Sequence, residues 1–163
     1  MKYVNFCLAA IASLVFMSGS VKTDKISVGF YPGEELPNIA FNDLEGRSFN
    51  LHGYRGKKVV VNFWAAYDAQ SRATNVRLHN FLIKNHPGIE FVSICFDENE
   101  SVFKKTVLLD KLGEYSQFCD VKGAQSDIYK EFQLNNGFKS YLIDETGVIT
   151  AMNVTPEKLE TII

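Results

Sequence analysis

Apolar residues follow two rhythms along this chain. Val59 to Ala65 is nearly continuous in apolar residues and β-branched at its start. That is the pattern of a strand buried on both faces in the middle of a sheet. Ile89 to Phe96 repeats it, with Phe91, Ser93 and Cys95 on one face. Between the two, Ser71, Thr74, Leu78, Phe81 and Leu82 fall at i, i+3, i+7, i+10 and i+11. This spacing makes one stripe on a helix running from about Asp68 to Asn85. His86-Pro87-Gly88 ends it. Ser71 then faces inward at the helix start, with Asp68 nearer the tip.

The remaining segments complete an alternation of strands and helices. Ile39 to Leu44 and Ser48 to Leu51 read as two short strands around Glu45-Gly46. Asn99 caps a helix to about Leu112, with Gly113 as its stop. Gln117 to Val121 reads as a short strand carrying Cys119, and Ala124 to Gln133 as a helix with Ile128 and Phe132 on one face. Ser140 to Ile143 and Val148 to Thr150 form a hairpin around Asp144-Glu145-Thr146-Gly147. Thr155 and Pro156 open the last helix as N-cap and first residue. Strands alternating with helices imply a three-layer α/β/α sandwich around a central mixed β-sheet.

The chain has 163 residues, 46% of them hydrophobic and 22% charged, with a net charge of −2. One domain with an ordinary core follows. The balance excludes the basic footprint of a nucleic-acid binder. Lys2, the uncharged apolar run Phe6 to Met17, and the small residues Ser18-Gly19-Ser20 have the pattern of a secretory signal peptide. Cleavage after Ser20 is expected, which places the protein outside the cell or in the periplasm. A membrane association would then come only from an uncleaved signal segment. The organisation is thus a signal peptide over 1–20, a flexible lead-in over 21–31, and one domain over 32–163. Removing the signal removes Cys7, leaving Cys95 and Cys119, an even count that permits one disulfide.

Several pieces resemble the thioredoxin-like proteins, in particular the secreted thiol-disulfide oxidoreductase and alkyl-hydroperoxide-reductase (AhpC/TSA, redoxin) branch. Gly33 to Ile39 is similar to that branch's Gly-x-x-x-Pro-x-Phe entry, and Leu51 through Arg55-Gly56-Lys57 to its connector before the first core strand. Phe63-Trp64-Ala65 matches its approach to the active site, and Val92 to Asp97 its next strand. Leu142-Ile143-Asp144, with Gly147 and Ile149, matches its closing hairpin. The resemblance implies the thioredoxin fold over Pro32 to Ile163. It also implies a Cys-x-x-Cys at the helix start, where this chain has Asp68-Ala69-Gln70-Ser71. The family's cis-proline position falls on Phe138. A cis bond before a non-proline residue costs about 2.5–4 kcal/mol, so a trans bond is expected there.

A carboxylate and a hydroxyl cannot exchange a disulfide. At a helix start Asp68 is favoured as an N-cap, and Ser71, with no evident base, fills a cysteine-sized space. Trp64, Tyr67 and Phe138 are placed by the resemblance around the former active-site groove. There, beside a helix N-terminus, an extended peptide or small anion would fit, unless the aromatic rings close it. The expected function is therefore a binding or accessory module acting on an envelope or secreted protein or peptide through Trp64, Tyr67, Asp68, Ser71 and Phe138. The alternative is an oxidoreductase or peroxidase working through Cys95 and Cys119. Cys95 reads as a buried small hydrophobe, and Cys119, before Asp120, as the more accessible thiol. His52, His79 and His86 have no metal-site spacing and read as surface or loop positions. No cofactor is implied.

Overall fold

A computed structural model describes residues 25–42, 46–113 and 116–163. The signal-peptide reading and the turn at Glu45 fall outside the described residues. Five strands form one sheet: β3 (Val59–Trp64), β4 (Glu90–Cys95), β5 (Gln117–Cys119), β6 (Ser140–Ile143) and β7 (Ile149–Met152), in the order β5-β4-β3-β6-β7. β3, β4 and β5 are parallel, while β6 and β7 run antiparallel to their neighbours. The mixed sheet expected from the pattern is therefore present. A separate hairpin, β1 (Ala40–Asn42) with β2 (Ser48–Asn50), lies ahead of it.

Alternation along β3 sorts the core into two faces. Val59, Val61 and Phe63 join Phe49, Ile94, Phe96, Phe132 and Tyr141 in the larger apolar cluster. That face is covered by the β1–β2 hairpin and by α3 (Asp127–Glu131). Val60 faces the other way, onto Leu78 and Leu82 of α1 (Ala69–Asn85) and Leu159 of α4 (Pro156–Ile162). Trp64 shares that second face with Phe103 and Val107 of α2 (Glu100–Leu109).

The two apolar clusters on the α1 face are separated by a polar belt. Gln117, Ser93, Asn62 and Ser140 are successive register partners across β5, β4, β3 and β6. Asn75 of α1 sits over them. Its Oδ1 accepts from Asn62 Nδ2 at 3.0 Å and from Ser93 Oγ at 2.7 Å, and its Nδ2 donates to Gln117 Oε1 at 3.3 Å. Buried polar groups are tolerated when paired in this way. The stripe read from the sequence gains Asn75 and His79, both buried, while Thr74 is only half-buried. The surface or loop reading of His79 is thereby corrected: it is 5% exposed, and its Nε2 accepts from the Gly113 amide at 3.0 Å.

Three boundaries differ from the sequence expectation. α2 stops at Leu109, because Lys111 takes a left-handed φ of 54° and the Leu112 amide bonds the Val107 carbonyl at 3.0 Å. Lys111 thus does the work expected of Gly113. The helix expected over 124–133 is broken at Ser126, whose hydroxyl donates to Asp120 and accepts from the Ile128 and Tyr129 amides, restarting the helix as α3. The lead-in expected to be flexible is paired from Ser27 onward: the Gly29 amide donates to the Glu35 carbonyl at 2.9 Å, the Glu35 amide donates to the Ser27 carbonyl at 2.8 Å, and Gly33 to Glu35 line the edge of β7. Phe30 packs edge-on against Phe132 at 5.1 Å.

Candidate functional site

β3 ends at Trp64 and the chain turns sharply before α1. The Asp68 amide bonds the Ala65 carbonyl at 3.1 Å, and the Ala66 amide donates to both oxygens of Asp97, at 3.1 and 3.0 Å. Asp68 takes the extended backbone of an N-cap, and its Oδ1 accepts from the Ser71 amide at 2.7 Å. Ser71 is buried. Its hydroxyl accepts from the Ala65 amide at 3.3 Å and donates to the Asp68 carbonyl at 3.2 Å. The hydroxyl is thus committed to backbone groups rather than hydrogen-bonded to a general base. The start of α1 presents a carboxylate and a satisfied hydroxyl.

Opposite α1 runs the segment Asn136–Ser140. It is fastened to β3 by the bond from the Phe63 amide to the Lys139 carbonyl, 3.0 Å, and the Asn153 amide holds the Ser140 carbonyl at 2.6 Å. Every peptide bond among the described residues is trans, Phe138 included. Between α1 and this segment lies a groove of about 480 Å³ whose rim includes Asp68, Gln70, Thr74, Asn136, Lys139 and Asn153. It is within the size range of ligand clefts. Among the described residues, the side chains of Gln70, Thr74, Asn136 and Asn153 make no hydrogen bond, which leaves their donors and acceptors available at the groove.

The expected aromatic trio separates. Tyr67 stands out, 67% exposed, with its ring 6.2 Å from Phe138. Phe138 is half-buried, stacked on Phe96 at 6.5 Å and edge-on to Tyr129 at 6.1 Å. Trp64 is fully buried and does not reach the groove; it packs with Cys95, Cys119 and Phe103, and its indole N–H has no hydrogen-bond partner among the described residues. The cause is parity: Trp64 is the register partner of Cys95 and follows Asn62 on the α1 face, beneath the helices. Loss of water around the Tyr67 hydroxyl, then the Tyr129 hydroxyl, Asp97 and Cys95, push its pKa up to about 12. It is a neutral phenol at physiological pH.

Cys95 and Cys119 are direct register partners on β4 and β5, and both are free thiols. Cys119 is as deeply set as Cys95, at 4% exposure, so the expectation that it would be the more accessible thiol is not met. Cys95 donates to Asp97 Oδ2 at 3.0 Å, and Cys119 approaches the Asp97 carbonyl at 3.6 Å. Burial pushes the Cys95 thiol far above its ordinary value, and the Cys119 thiol and the Asp97 carboxylate push the same way. A nucleophilic cysteine needs the opposite environment. Sequence reasoning missed Asp97, Gln70, Asn136 and Asn153 at this end of the sheet. Asn153, with a left-handed φ of 47° after β7, is the one whose residue type hints at its backbone.

Residues 32–152 match the model of the AhpC/TSA family. The chain belongs to that family. Among relatives of this AhpC/TSA protein, the thiol-disulfide oxidoreductase ResA of Bacillus cereus is 26% identical over 156 residues, covering 89% of this chain and 86% of the relative. ResA of a second Bacillus cereus strain is 30% identical over 132 residues, covering 78% and 74%. A crystal structure of a thioredoxin-like protein from Parabacteroides distasonis is 44% identical with a TM-score of 0.74, over 85% of this chain and 98% of that one. The thioredoxin domain of a thiol-disulfide oxidoreductase from Bacteroides vulgatus is 25% identical with a TM-score of 0.69, over 82% and 95%. The sheet and flanking helices are those of the thioredoxin-like fold, and the family is that of the thioredoxin-like thiol-disulfide oxidoreductases.

Proposed function

We propose that this thioredoxin-like protein does not exchange disulfides and acts as a binding or accessory module. Its ligand is an extended segment of an envelope or secreted protein, held in the groove between α1 and Asn136–Ser140. The observation that carries this reading is the start of α1. Asp68 and Ser71 stand in the two positions where the resemblance calls for cysteines, and both are tied into the helix cap. Gln70, Asn136 and Asn153 offer carboxamides that can bond peptide N–H and C=O groups along an extended chain. Action outside the cytoplasm is part of the proposal; its support is the charge at Lys2, the apolar run to Met17 and the small residues that follow.

One observation favours a second reading. Cys95 and Cys119 lie side by side on one face of the sheet, and as a dithiol they could reduce a disulfide by forming their own, releasing two protons and passing two electrons to the substrate. Insulin-disulfide reduction with dithiothreitol as electron source separates the two. The binding-module reading expects turnover no faster than dithiothreitol alone. Turnover above that level, abolished by Cys119→Ser, would overturn it in favour of the second.

A further inference from the structure

We infer that a second hollow, between α2 and the start of β5, binds the acyl chain of a free fatty acid, with Lys111 and Arg47 at its carboxylate. The hollow measures about 530 Å³ and shares no lining residue with the groove. Its volume is that of a small-molecule cleft. Phe103, Val107 and Leu112 are its buried apolar residues, and Leu108 adds an aliphatic side chain that is 77% exposed. The polar lining residue without a charge is Gln117. Its Oε1 accepts from Asn75, its Nε2 donates to Ser116 Oγ at 3.4 Å, and its carbonyl accepts from Arg47 at 3.3 Å. A peptide laid here would leave its own N–H groups unpaired against an apolar surface, at a cost. An alkyl chain has no such groups to satisfy.

The charged residues of this lining are cations: Arg47, Lys104 and Lys111. Glu100 holds Lys104 Nζ at 2.6 Å, so that charge is balanced. Asp110, the acid at the other end of α2, is held by Arg72 at 2.7 and 2.6 Å. Arg47 lies over the Phe118 ring, 5.6 Å from its centroid, a contact that fixes the guanidinium without removing its charge. Lys111 makes no side-chain hydrogen bond or ion pair among the described residues. Its backbone is an independent observation. A φ of 54° at a helix end is the place of glycine or asparagine, and a lysine there is strained. What lysine adds at that position is an ammonium group beside the hollow. Apolar residues with cations beside them suit a chain that ends in an anion, and disfavour one that ends in a cation.

The test titrates ¹⁵N-labelled protein at pH 7.5 with decanoate, hexanoate and decyltrimethylammonium, each below its micelle concentration, and with a capped Glu-Leu-Leu-Glu peptide. Decanoate is expected to shift the amides of Phe103, Leu108, Lys111 and Gln117. It is expected to bind at least about tenfold more tightly than hexanoate, which has a shorter chain, and than decyltrimethylammonium, which reverses the charge. Lys111→Asn removes the cation and keeps a residue that tolerates the left-handed backbone. That variant is expected to weaken decanoate and leave decyltrimethylammonium unchanged. Equal affinity for the two ten-carbon chains, no shift with decanoate, or decanoate binding untouched by Lys111→Asn would each overturn the inference. Tighter binding of the peptide would overturn it in favour of an acidic protein partner. Shifts of the same amides on concentrating the free protein would overturn it in favour of a second copy of this chain. The reading of the groove stands or falls separately.

Discussion

Asp68 uses one carboxylate oxygen to cap α1 and leaves the other at the rim of the groove. The two roles separate under substitution. Asp68→Ala is expected to cost about 1 kcal/mol in urea unfolding, the usual loss for an N-cap. Asp68→Asn is expected to unfold at the wild-type midpoint. A double loss, with Asn as damaging as Ala, would mean that the charge and not the cap stabilises the helix start. At Cys95 the environment sets reactivity. Burial, Cys119 and Asp97 all hold the thiol protonated, and thiolate is the reacting form. Iodoacetamide at pH 8 is expected to leave Cys95 and Cys119 unmodified in the native protein and to label both in urea, as read by intact mass.

At the scale of elements, α1 is bound to the sheet by Asn75 as well as by its apolar stripe. Asn75→Leu would leave Asn62, Ser93 and Gln117 without their shared partner. A loss of about 1–3 kcal/mol is expected by urea unfolding, the penalty for stranding buried polar groups. His79, one turn further on, adds a pH dependence. Burial lowers its pKa below the ordinary 6.5, against the opposing hydrogen bond with Asn80. The unfolded chain therefore takes up this proton at higher pH than the folded chain. Stability from this site is complete above about pH 6.5 and falls as pH drops toward the depressed folded value. His79→Gln is expected to flatten the change in urea midpoint between pH 7.5 and pH 5; an unaltered slope would assign it to other groups.

These elements also show what a linear reading can and cannot reach. β3, β4 and α1 were legible because burial on both faces, or on one stripe, leaves a periodic apolar signature in consecutive residues. The polar belt was not, because Asn62, Asn75, Ser93 and Gln117 come from four elements and meet only in register. The end of α2 and the break before α3 were missed for a related reason. A left-handed Lys111 and a Ser126 bonded to Asp120 are decided by tertiary contacts, not by local propensity. At the site, Asp68, Tyr67 and Phe138 were legible through the resemblance, whereas the burial of Trp64 follows from strand parity that the resemblance did not weigh.

The whole molecule combines a thioredoxin-like scaffold with a start of α1 that carries Asp68 and Ser71. The sheet, the placement of α1 and the groove beside Asn136–Ser140 belong to the fold. The side chains at 68 and 71 belong to this chain. Restoring the two thiols at those positions isolates that difference. The decisive measurement is the initial rate of insulin-disulfide reduction by the wild-type protein and by the Asp68→Cys, Ser71→Cys double variant in one assay, with dithiothreitol alone as background. The expected result is wild type at background and the double variant clearly above it, because a helix N-terminus lowers a thiol's pKa. Wild-type turnover above background would contradict the claim that this protein has left disulfide exchange.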